Sequence, residues 1–418
     1  MPVAPRIVSW NLTRRCNLAC SHCYLDALQR KSDCGDELAT EEALRVVEEL
    51  ADLAPGAMLV LTGGEPLLRR DLHQLVAAAA SRELMPVIGT NGVLLTPERA
   101  EALRQAGAAG VGVSVDSVDP IFHDRLRGLP GAWNGALSGM RAAREAGLGV
   151  LMQTTLFAEN RGDLEAFARL AREQCAMALN FFFLVCTGRG VTQTDLSGAD
   201  YETALSGILQ LQARHADVMI RARCAPYARR MLGLHAGQGE GAYADWSSAC
   251  LAGRGYLRIT PNGEVTPCPY IPQAKGSVRR ASLREIWEGG AGFARLRGET
   301  PGGKCGGCDF RHSCGGCRAR ALAASGDLMS EDAKCAYQPS PDATPEARPG
   351  TVPVEAVATW TPEARALLER IPGFVRSRVR TRLEEAAARE SAASITLDFM
   401  RAHRPKGAFF SALRDKLS

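Results

Sequence analysis

The distribution of cysteine is the feature that most constrains how this chain folds. Of 418 residues, 14 are cysteine, and most of them fall into two groups, Cys16–Cys23 and Cys250–Cys335. We expect a cytoplasmic protein, because no window approaches the roughly 18 apolar residues of a membrane span and the first residues lack the apolar run of a secretory signal. Thiols stay reduced in that compartment, so grouped cysteines predict bound metal rather than disulfides.

Length and charge narrow the classes of protein to which the chain can belong. A chain of 418 residues with 46% hydrophobic and 23% charged residues is typical of a soluble globular protein with two or three domains. The net charge of +4 comes from residues 351–418, where 12 basic residues face 8 acidic ones, so the rest of the chain is neutral. A nucleic-acid-binding domain normally presents a basic face, and we therefore expect no nucleic-acid partner.

The first 186 residues alternate short β-rich runs with longer amphipathic segments, which is typical of repeated βα units around a parallel sheet. Helix N-termini are indicated at Thr40 and Thr96. Six units are too few for the eight of a closed barrel, so the pattern predicts an α/β fold with a partial (β/α)6 barrel. The predicted strands are Ile7–Asn11, Ala57–Leu61, Met85–Thr90, Gly110–Val115, Gly149–Thr155 and Asn180–Val185.

Composition changes along the chain predict the domain boundaries. We assign the partial barrel to residues 1–220, with 187–249 mostly helical, and a Cys-rich auxiliary domain to 221–337. Residues 338–353 carry five prolines and have the composition of a linker. Residues 354–418 then form a small helical domain. One of its helices starts at Thr361 and ends before Pro372, and the next presents Val375, Val379 and Leu383 on one face.

The first cysteine group has the spacing C-x3-C-x2-C, formed by Cys16, Cys20 and Cys23 directly after the first predicted strand. Three thiolates leave a fourth coordination position empty, whereas a structural zinc site uses four closed ligands. The group therefore predicts either a distant fourth ligand or an iron–sulfur cluster with one iron open to a substrate.

This spacing resembles the defining motif of the radical S-adenosylmethionine (SAM) superfamily. The superfamily usually has an aromatic residue before the last cysteine, where this chain has His22, and Tyr24 follows instead. Gly63, Gly64 and Glu65 follow the second strand, where the superfamily contacts the methionine amino group. Glycine lets backbone approach a ligand closely, and a carboxylate suits an ammonium group.

The resemblance implies a cofactor site at the carboxyl ends of the strands, where the polar groups of successive parallel strands converge. An open iron would bind SAM, and the reduced cluster would cleave it to a 5′-deoxyadenosyl radical that abstracts hydrogen. The protein would be oxygen-sensitive, and a reductant such as flavodoxin or ferredoxin would supply electrons. The implied cofactor-binding residues are Tyr24, Gly63, Gly64, Glu65, Asn91, Ser114, Asp116 and Gln153.

The second cysteine group resembles the SPASM extension or its shorter relative, which binds one or two auxiliary [4Fe–4S] clusters. By that resemblance Cys305, Cys308, Cys314 and Cys335 hold one cluster, and Cys250, Cys268 and Cys317 hold three corners of a second. The usual motif has three residues between its last close pair, where this chain has two, so the second cluster has an open iron, takes a non-Cys ligand or is absent. Zinc ribbons stay an alternative. Ordinary thiols are predicted for Cys34, Cys175, Cys186 and Cys224.

Two further segments indicate the subgroup. Residues 305–335, with 10–27 and 181–190, resemble radical enzymes of haem d1 biosynthesis and of iron-coproporphyrin decarboxylation. Residues 360–400 are similar to the small domain of a dark-operative protochlorophyllide reductase subunit. These resemblances imply a tetrapyrrole substrate modified by propionate removal or oxidative decarboxylation. Enzymes that modify ribosomally made precursor peptides share part of the pattern and are the alternative, and a metal-binding scaffold without radical chemistry is the third.

Overall fold

The structure is a computed structural model with two compact units, Met1–Glu346 and Ala347–Ser418, whose boundary falls within the proline-rich segment 338–353. The described residues are 4–25, 27, 35–185, 187–192, 195–215, 217–234, 249–342, 344–345, 359–370, 379–380, 383–384, 386–387, 390 and 392–403. Cys34, Cys186 and Val375 lie outside them. No described helix is both long and apolar enough to cross a membrane.

A ten-stranded sheet organises the first unit. Its strands are β1 (Ile7–Asn11), β2 (Met58–Thr62), β3 (Met85–Thr90), β4 (Gly110–Ser114), β5 (Gly149–Leu156), β6 (Ala178–Phe183), β7 (Met219–Arg223), β8 (Tyr256–Ile259), β9 (Glu264–Thr266) and β10 (Gly276–Ser277). Their order in the sheet is β10-β9-β8-β1-β2-β3-β4-β5-β6-β7. Neighbours from β8 through β1 to β7 pair in parallel, while β9 pairs antiparallel with both β8 and β10.

Helices connect the parallel strands. They are α1 (Thr40–Leu53), α2 (Leu72–Ser81), α3 (Pro97–Gln105), α4 (Pro120–Arg127), α5 (Ala132–Glu145), α6 (Leu164–Glu173), α7 (Gly198–Arg214) and α8 (Tyr227–Leu234). Because β1 to β7 follow one another in sequence order, right-handed crossovers place the helices on one face of the sheet. The other face is left for ligands. The six predicted strands are all present, which confirms the α/β partial-barrel prediction.

Local sequence accounts for most element ends. The Thr96 side chain accepts a hydrogen bond from the Arg99 backbone N–H and caps α3, as predicted. Helix α1 begins at Thr40, but its N-cap is Ala39, whose N–H donates to Glu42. Strand β7 is an addition, because it lies in the segment that we expected to be mostly helical.

The Cys-rich region continues the same sheet. Its strand β8 pairs with β1 in parallel, and the short strands β9 and β10 extend that edge. Four short helices complete the region. They are α9 (Leu283–Gly289), α10 (Ala291–Gly298), α11 (Gly303–Gly306) and α12 (Arg318–Ser325).

In the second unit, β11 (Thr359–Trp360) and β12 (Ser394–Ile395) form a two-stranded parallel sheet. Its described helices are α13 (Pro362–Arg370) and α14 (Leu397–Ala402). Helix α13 starts directly after Thr361, as predicted, and Pro372, before which it was expected to end, lies outside the described residues. Leu383 is buried in this unit's own apolar core, and Val379 packs against that core.

Candidate functional site

The first cysteine group lies in the loop that follows β1, and the C-terminal end of α4 supports this loop. The backbone N–H groups of Ala19 and Ser21 donate to the carbonyls of Arg127 and Leu126, at 3.2 and 3.0 Å. Cys16 is buried, and its Sγ accepts the Leu18 N–H at 3.4 Å. Hydrogen bonds to the backbone therefore fix the loop that carries the thiols.

Residues 187–190, a Thr-Gly-Arg-Gly sequence, close the loop from the other side. The Nε atom of Arg189 donates to the Cys20 carbonyl at 2.9 Å, and the Arg189 N–H donates to the Cys23 carbonyl at 3.0 Å. Gly188 has φ +58°, and a Cβ there would lie 2.6 Å from the Cys23 carbonyl oxygen. The close approach therefore requires glycine at 188.

The turn after β2 packs directly on the cysteine loop. The N–H groups of Gly64 and Glu65 donate to the carbonyls of Thr13 and Arg15, each at 2.7 Å. Gly63 has φ +145°, and a Cβ on Gly64 would lie 2.0 Å from the Arg15 carbonyl oxygen. Both glycines are thus required by backbone packing, whatever they also do for a ligand.

Glu65 is fully buried, and its carboxylate accepts hydrogen bonds from other groups of the chain. One oxygen accepts from the Thr90 hydroxyl at 2.7 Å and the Leu67 N–H at 3.2 Å, and the other accepts from the Asn91 N–H at 2.9 Å. Burial raises the pKa of this carboxyl, while these donors lower it. Glu65 therefore ties the turn after β2 to the end of β3. The Asn91 amide continues the link by donating to Asn17 in the cysteine loop at 2.8 Å.

Asp116, just after β4, belongs to a buried charge cluster. Its carboxylate lies 2.5 Å from the Arg127 guanidinium and 3.0 Å from His22 Nε2. Despite burial, Arg127 and His22 hold the Asp116 pKa well below its usual range. Sequence spacing did not indicate this pairing, in which Asp116 contacts an arginine and a histidine of the chain itself. The His22 position, where the family motif usually has an aromatic residue, thus supplies an imidazole to Asp116.

Tyr24 links the cysteine loop to the Cys-rich region. Its hydroxyl accepts from the Asn11 amide at 3.1 Å, and its ring meets that of Tyr270 edge-on at 5.5 Å between centroids. The Arg258 guanidinium of β8 lies 5.8 Å from the Tyr24 ring centroid and donates to Asn11 Oδ1 at 2.5 Å. A buried cation therefore stands between the two cysteine regions.

A row of polar side chains crosses four neighbouring strands in register. Its members are Ser114, Gln153, Asn180 and Arg221. Adjacent strand residues such as Met152 and Leu179 pack in the apolar core, so by alternation the row occupies the opposite face. Gln153 lies so close to Gly112 that a Cβ there would be 2.4 Å from its Nε2. The predicted residues Ser114 and Gln153 thus share one face.

The three thiols of the first group suit a metal cluster chemically. Burial raises the pKa of Cys16 to about 12, and that of Cys20 also rises by burial although Arg127 opposes the shift. Arg127 Nη1 lies 3.7 Å from Cys20 Sγ. Such thiols stay protonated until a metal displaces the proton, and N–H donors aimed at sulfur are characteristic of iron–sulfur sites.

The second cysteine group separates into two sets. Four thiols line one cavity together with Arg230 and Lys304, namely Cys305, Cys308, Cys314 and Cys335. The Asp332 and Phe310 N–H groups donate to Cys305 and Cys308 sulfur, each at 3.4 Å. These four are the residues expected to hold one cluster.

The other set contains Cys250, Cys268 and Cys317, which pack in one small apolar cluster with Ile271 and Leu328. Cys224, which spacing had placed among the ordinary thiols, lies near them. Burial raises the pKa of Cys268 well above its usual value, and repulsion from Cys224, Cys250 and Cys317 adds to the shift. Linear spacing gave no signal for Cys224.

Asp332 connects the two sets. Its carboxylate accepts the Cys317 N–H at 2.7 Å and pairs with Arg320 at 3.0 Å, while its own N–H donates to Cys305 sulfur. Among the described residues, no three His, Cys, Asp or Glu side chains converge as ligands of a single metal ion would. In a four-iron cluster each thiolate bonds a different iron, so its ligands need not converge on one point.

Three family models match the chain. The radical SAM superfamily matches residues 10–171, and the iron–sulfur cluster-binding SPASM domain matches 250–309. The proto-chlorophyllide reductase 57 kD subunit model matches residues 360–404.

Curated relatives match over nearly their whole length. The chain is 38% identical to AdoMet-dependent heme synthase of Methanosarcina barkeri, covering 81% of this chain and 98% of that protein. It is 33% identical to the AdoMet-dependent heme synthase of Nitratidesulfovibrio vulgaris, covering 80% and 93%. It is also 31% identical to PqqA peptide cyclase of Granulibacter bethesdensis, covering 79% and 86%.

Solved structures share the fold at low identity. SuiB of Streptococcus suis, bound to the precursor peptide SuiA, superposes with a TM-score of 0.65 and 17% identity, covering 80% of this chain and 76% of that one. Native anSMEcpe with bound AdoMet superposes with a TM-score of 0.61 and 17% identity, covering 78% and 93%.

Proposed function

The chain belongs to the radical SAM superfamily and is an enzyme, and from that premise we propose that it modifies a tetrapyrrole side chain by propionate removal or oxidative decarboxylation. One observation carries the proposal. The chain is 38% identical to an AdoMet-dependent heme synthase along 98% of that protein.

We assign the cluster and SAM to different residues of the chain. Cys16, Cys20 and Cys23 would hold the cluster that, with SAM bound, supplies a 5′-deoxyadenosyl radical able to abstract hydrogen. The backbone turn at Gly63–Gly64 lies against the same loop, and Asn91 donates to that loop through Asn17. We place the methionine end of SAM on this turn, and the rest of the molecule along the strand ends that carry Ser114 and Gln153.

Two arginines of this region carry the charge that suits the carboxylates of a tetrapyrrole. Arg258 lies between the Tyr24 loop and the Cys-rich region, and its Nη1 donates to the Pro269 carbonyl at 3.3 Å. Arg221 occupies the end of the polar row on β7. Guanidinium groups pair well with propionate carboxylates, and their rigid geometry would orient the side chain from which hydrogen is taken. We also propose a cytoplasmic location and a flavodoxin- or ferredoxin-type reductant.

Substrate binding is the direct test. The anaerobically reconstituted chain is titrated with iron-coproporphyrin III, and the Soret band is followed. We expect a saturable shift at micromolar concentration, and incubation with SAM and reductant should yield 5′-deoxyadenosine together with decarboxylated porphyrin by mass spectrometry. A Soret band that does not move, with no porphyrin product, would contradict the proposal. Absence of 5′-deoxyadenosine under all conditions would contradict any radical SAM activity.

Peptide modification is the second candidate. It is favoured by the 31% identity to a PqqA peptide cyclase and by the fold shared with a structure bound to a precursor peptide. This function predicts a short precursor peptide encoded near the gene. The same incubation, run with that peptide in place of the porphyrin, should then give a peptide with altered mass and leave the porphyrin unchanged.

A further inference from the structure

Cys224 occupies a constrained position at the end of β7. It is one of three non-glycine residues with positive φ among those described, at 56°. Its carbonyl accepts a hydrogen bond from Arg320 Nη1 at 2.8 Å. Arg320 lies in the first turn of α12, whose N-cap residue is Cys317. This hydrogen bond therefore holds the Cys224 backbone next to the end of α12 that carries Cys317. It also stabilises the left-handed conformation of Cys224, which non-glycine residues rarely adopt.

The Cys224 thiol lies near three other thiols, those of Cys250, Cys268 and Cys317. Burial raises its pKa to about 12, and repulsion from Cys317 and Cys250 adds to the shift. Cys250 and Cys268 in turn pack against the apolar cluster around Cys317. Cys224 is therefore close to these three thiols in space, although 25 residues separate it from Cys250 along the chain.

We propose that Cys224 is the fourth protein ligand of the auxiliary cluster whose other ligands are Cys250, Cys268 and Cys317. Four thiolates complete the ligand set of a [4Fe–4S] cluster. Each iron of this cluster then has a protein ligand, so neither substrate nor SAM binds to it. Its function is electron transfer. The inference rests on the iron–sulfur domain match and on the position of the thiols, and it does not depend on which substrate the enzyme takes.

The surroundings of the four thiols fit this assignment. Arg320 places a buried positive charge beside Cys317 and Cys224, and it is paired with Asp332 and bonded to the Tyr201 hydroxyl at 2.6 Å. A cation near the thiolates stabilises the negative charge of a reduced cluster. Cys175 offers a matched contrast. It also has positive φ, at 52°, but it is exposed and precedes β6, so it lies at the amino end of the strands, whereas Cys224 follows the carboxyl end of β7.

The test uses the full chain in which Cys16, Cys20 and Cys23 are replaced by Ala, so that the first cluster cannot form. After anaerobic reconstitution this parent chain should bind about eight irons and eight sulfides, those of two clusters. Adding Cys224→Ala leaves one iron without a thiolate. Mild oxidation should then release about one iron per chain and produce the EPR signal of a three-iron cluster. The parent and a Cys175→Ala control should show neither change.

Two outcomes would overturn the assignment. One is a Cys224→Ala chain whose iron content and EPR spectrum match those of the Cys175→Ala chain. The other is a parent chain that binds only about four irons, because the second cluster would then be absent. Cys224→Ser keeps the side-chain volume and serves if the Ala variant does not fold. It should retain the cluster with a changed EPR spectrum, and a spectrum identical to that of Cys175→Ser would equally overturn the proposal. None of these measurements uses the porphyrin, so they test the cluster ligand independently of the proposed substrate.

Discussion

The Arg127 guanidinium joins Cys20 to Asp116, with Nη1 3.7 Å from the Cys20 sulfur and Nη2 2.5 Å from the Asp116 carboxylate. Both Arg127 and Asp116 are buried. A residue at the end of α4 thus couples a predicted cluster ligand to the end of β4, which gives the thiol loop a fixed charge environment.

Removing that cation should destabilise the fold. Arg127→Gln leaves the buried Asp116 carboxylate without its guanidinium partner, and we expect a loss of about 3 kcal/mol in the free energy of unfolding of the cluster-free chain. Urea unfolding under reducing conditions measures it. The double variant Arg127→Gln/Asp116→Asn should recover part of the loss, and a double variant as unstable as the two single losses combined would argue against the pairing.

Gly64 should not tolerate a side chain. An alanine Cβ would lie 2.0 Å from the Arg15 carbonyl oxygen, so Gly64→Ala forces the turn after β2 away from the thiol loop. We expect a stability loss of about 3 kcal/mol and poor loading of the first cluster, measured as iron per chain. Gly162→Ala is the control, because nothing lies within 4 Å of its Cβ position. Equal behaviour of the two variants would contradict the packing argument.

Glu65 should contribute to the stability of the fold. In Glu65→Gln one carboxylate oxygen becomes an NH2 group, which faces N–H donors and cannot accept from them. The unsatisfied donors should lower the free energy of unfolding by about 2 kcal/mol. Chemical denaturation measures this, and the exposed Glu173→Gln change should have little effect. A fully stable Glu65→Gln chain that fails only in SAM binding would show instead that the carboxylate serves the cofactor.

His123 predicts a pH dependence. Burial and the nearby Arg127 lower its pKa to about 4 from 6.5, and its Nδ1 accepts the Asp116 N–H at 3.3 Å, which favours the neutral ring. Between pH 6.5 and 4 the unfolded chain therefore binds more protons, and the folded state loses stability as pH falls. At pH 5.5 the loss should be about 1 kcal/mol relative to neutral pH. His123→Gln should remove that part of the pH dependence in urea unfolding of the cluster-free chain.

Substitutions in the two cysteine groups should affect different steps of the reaction. Cys16→Ala should abolish cleavage of SAM, measured as 5′-deoxyadenosine, because the first cluster loses one of its three ligands. Cys314→Ala should still allow cleavage but stop product formation. Normal turnover by the Cys314 variant would exclude a role for that auxiliary cluster in the reaction.

Periodicity placed the main strands well. Ile7–Asn11 and Met85–Thr90 match the structure, because buried parallel strands are continuous apolar runs bounded by turn residues. Strand β7 was missed. Arg221 and Arg223 occupy alternate positions in this strand. In the sequence alone, these two charged residues are hard to distinguish from the polar face of a surface helix.

Partners distant in sequence were harder to predict. Asp116 was expected near a ligand, but its buried partner is Arg127, which only the fold of α4 brings to it. Cys224 gave no spacing signal for the same reason, since β7 carries it to the thiols of another region. Short motifs identify local loops, whereas pairings made by the sheet depend on tertiary structure.

The pairing of β8 with β1 makes the Cys-rich region a covering for the barrel. β1 has a parallel neighbour on both sides, β2 and β8. A chain cut before β8 would expose the backbone N–H and C=O groups of β1 as a bare edge, a template for aggregation. Because Cys250 and Cys268 flank β8, a cluster bound by them would also anchor that cover. A chain that lacks this cluster would then show a solubility defect as well as a loss of catalysis.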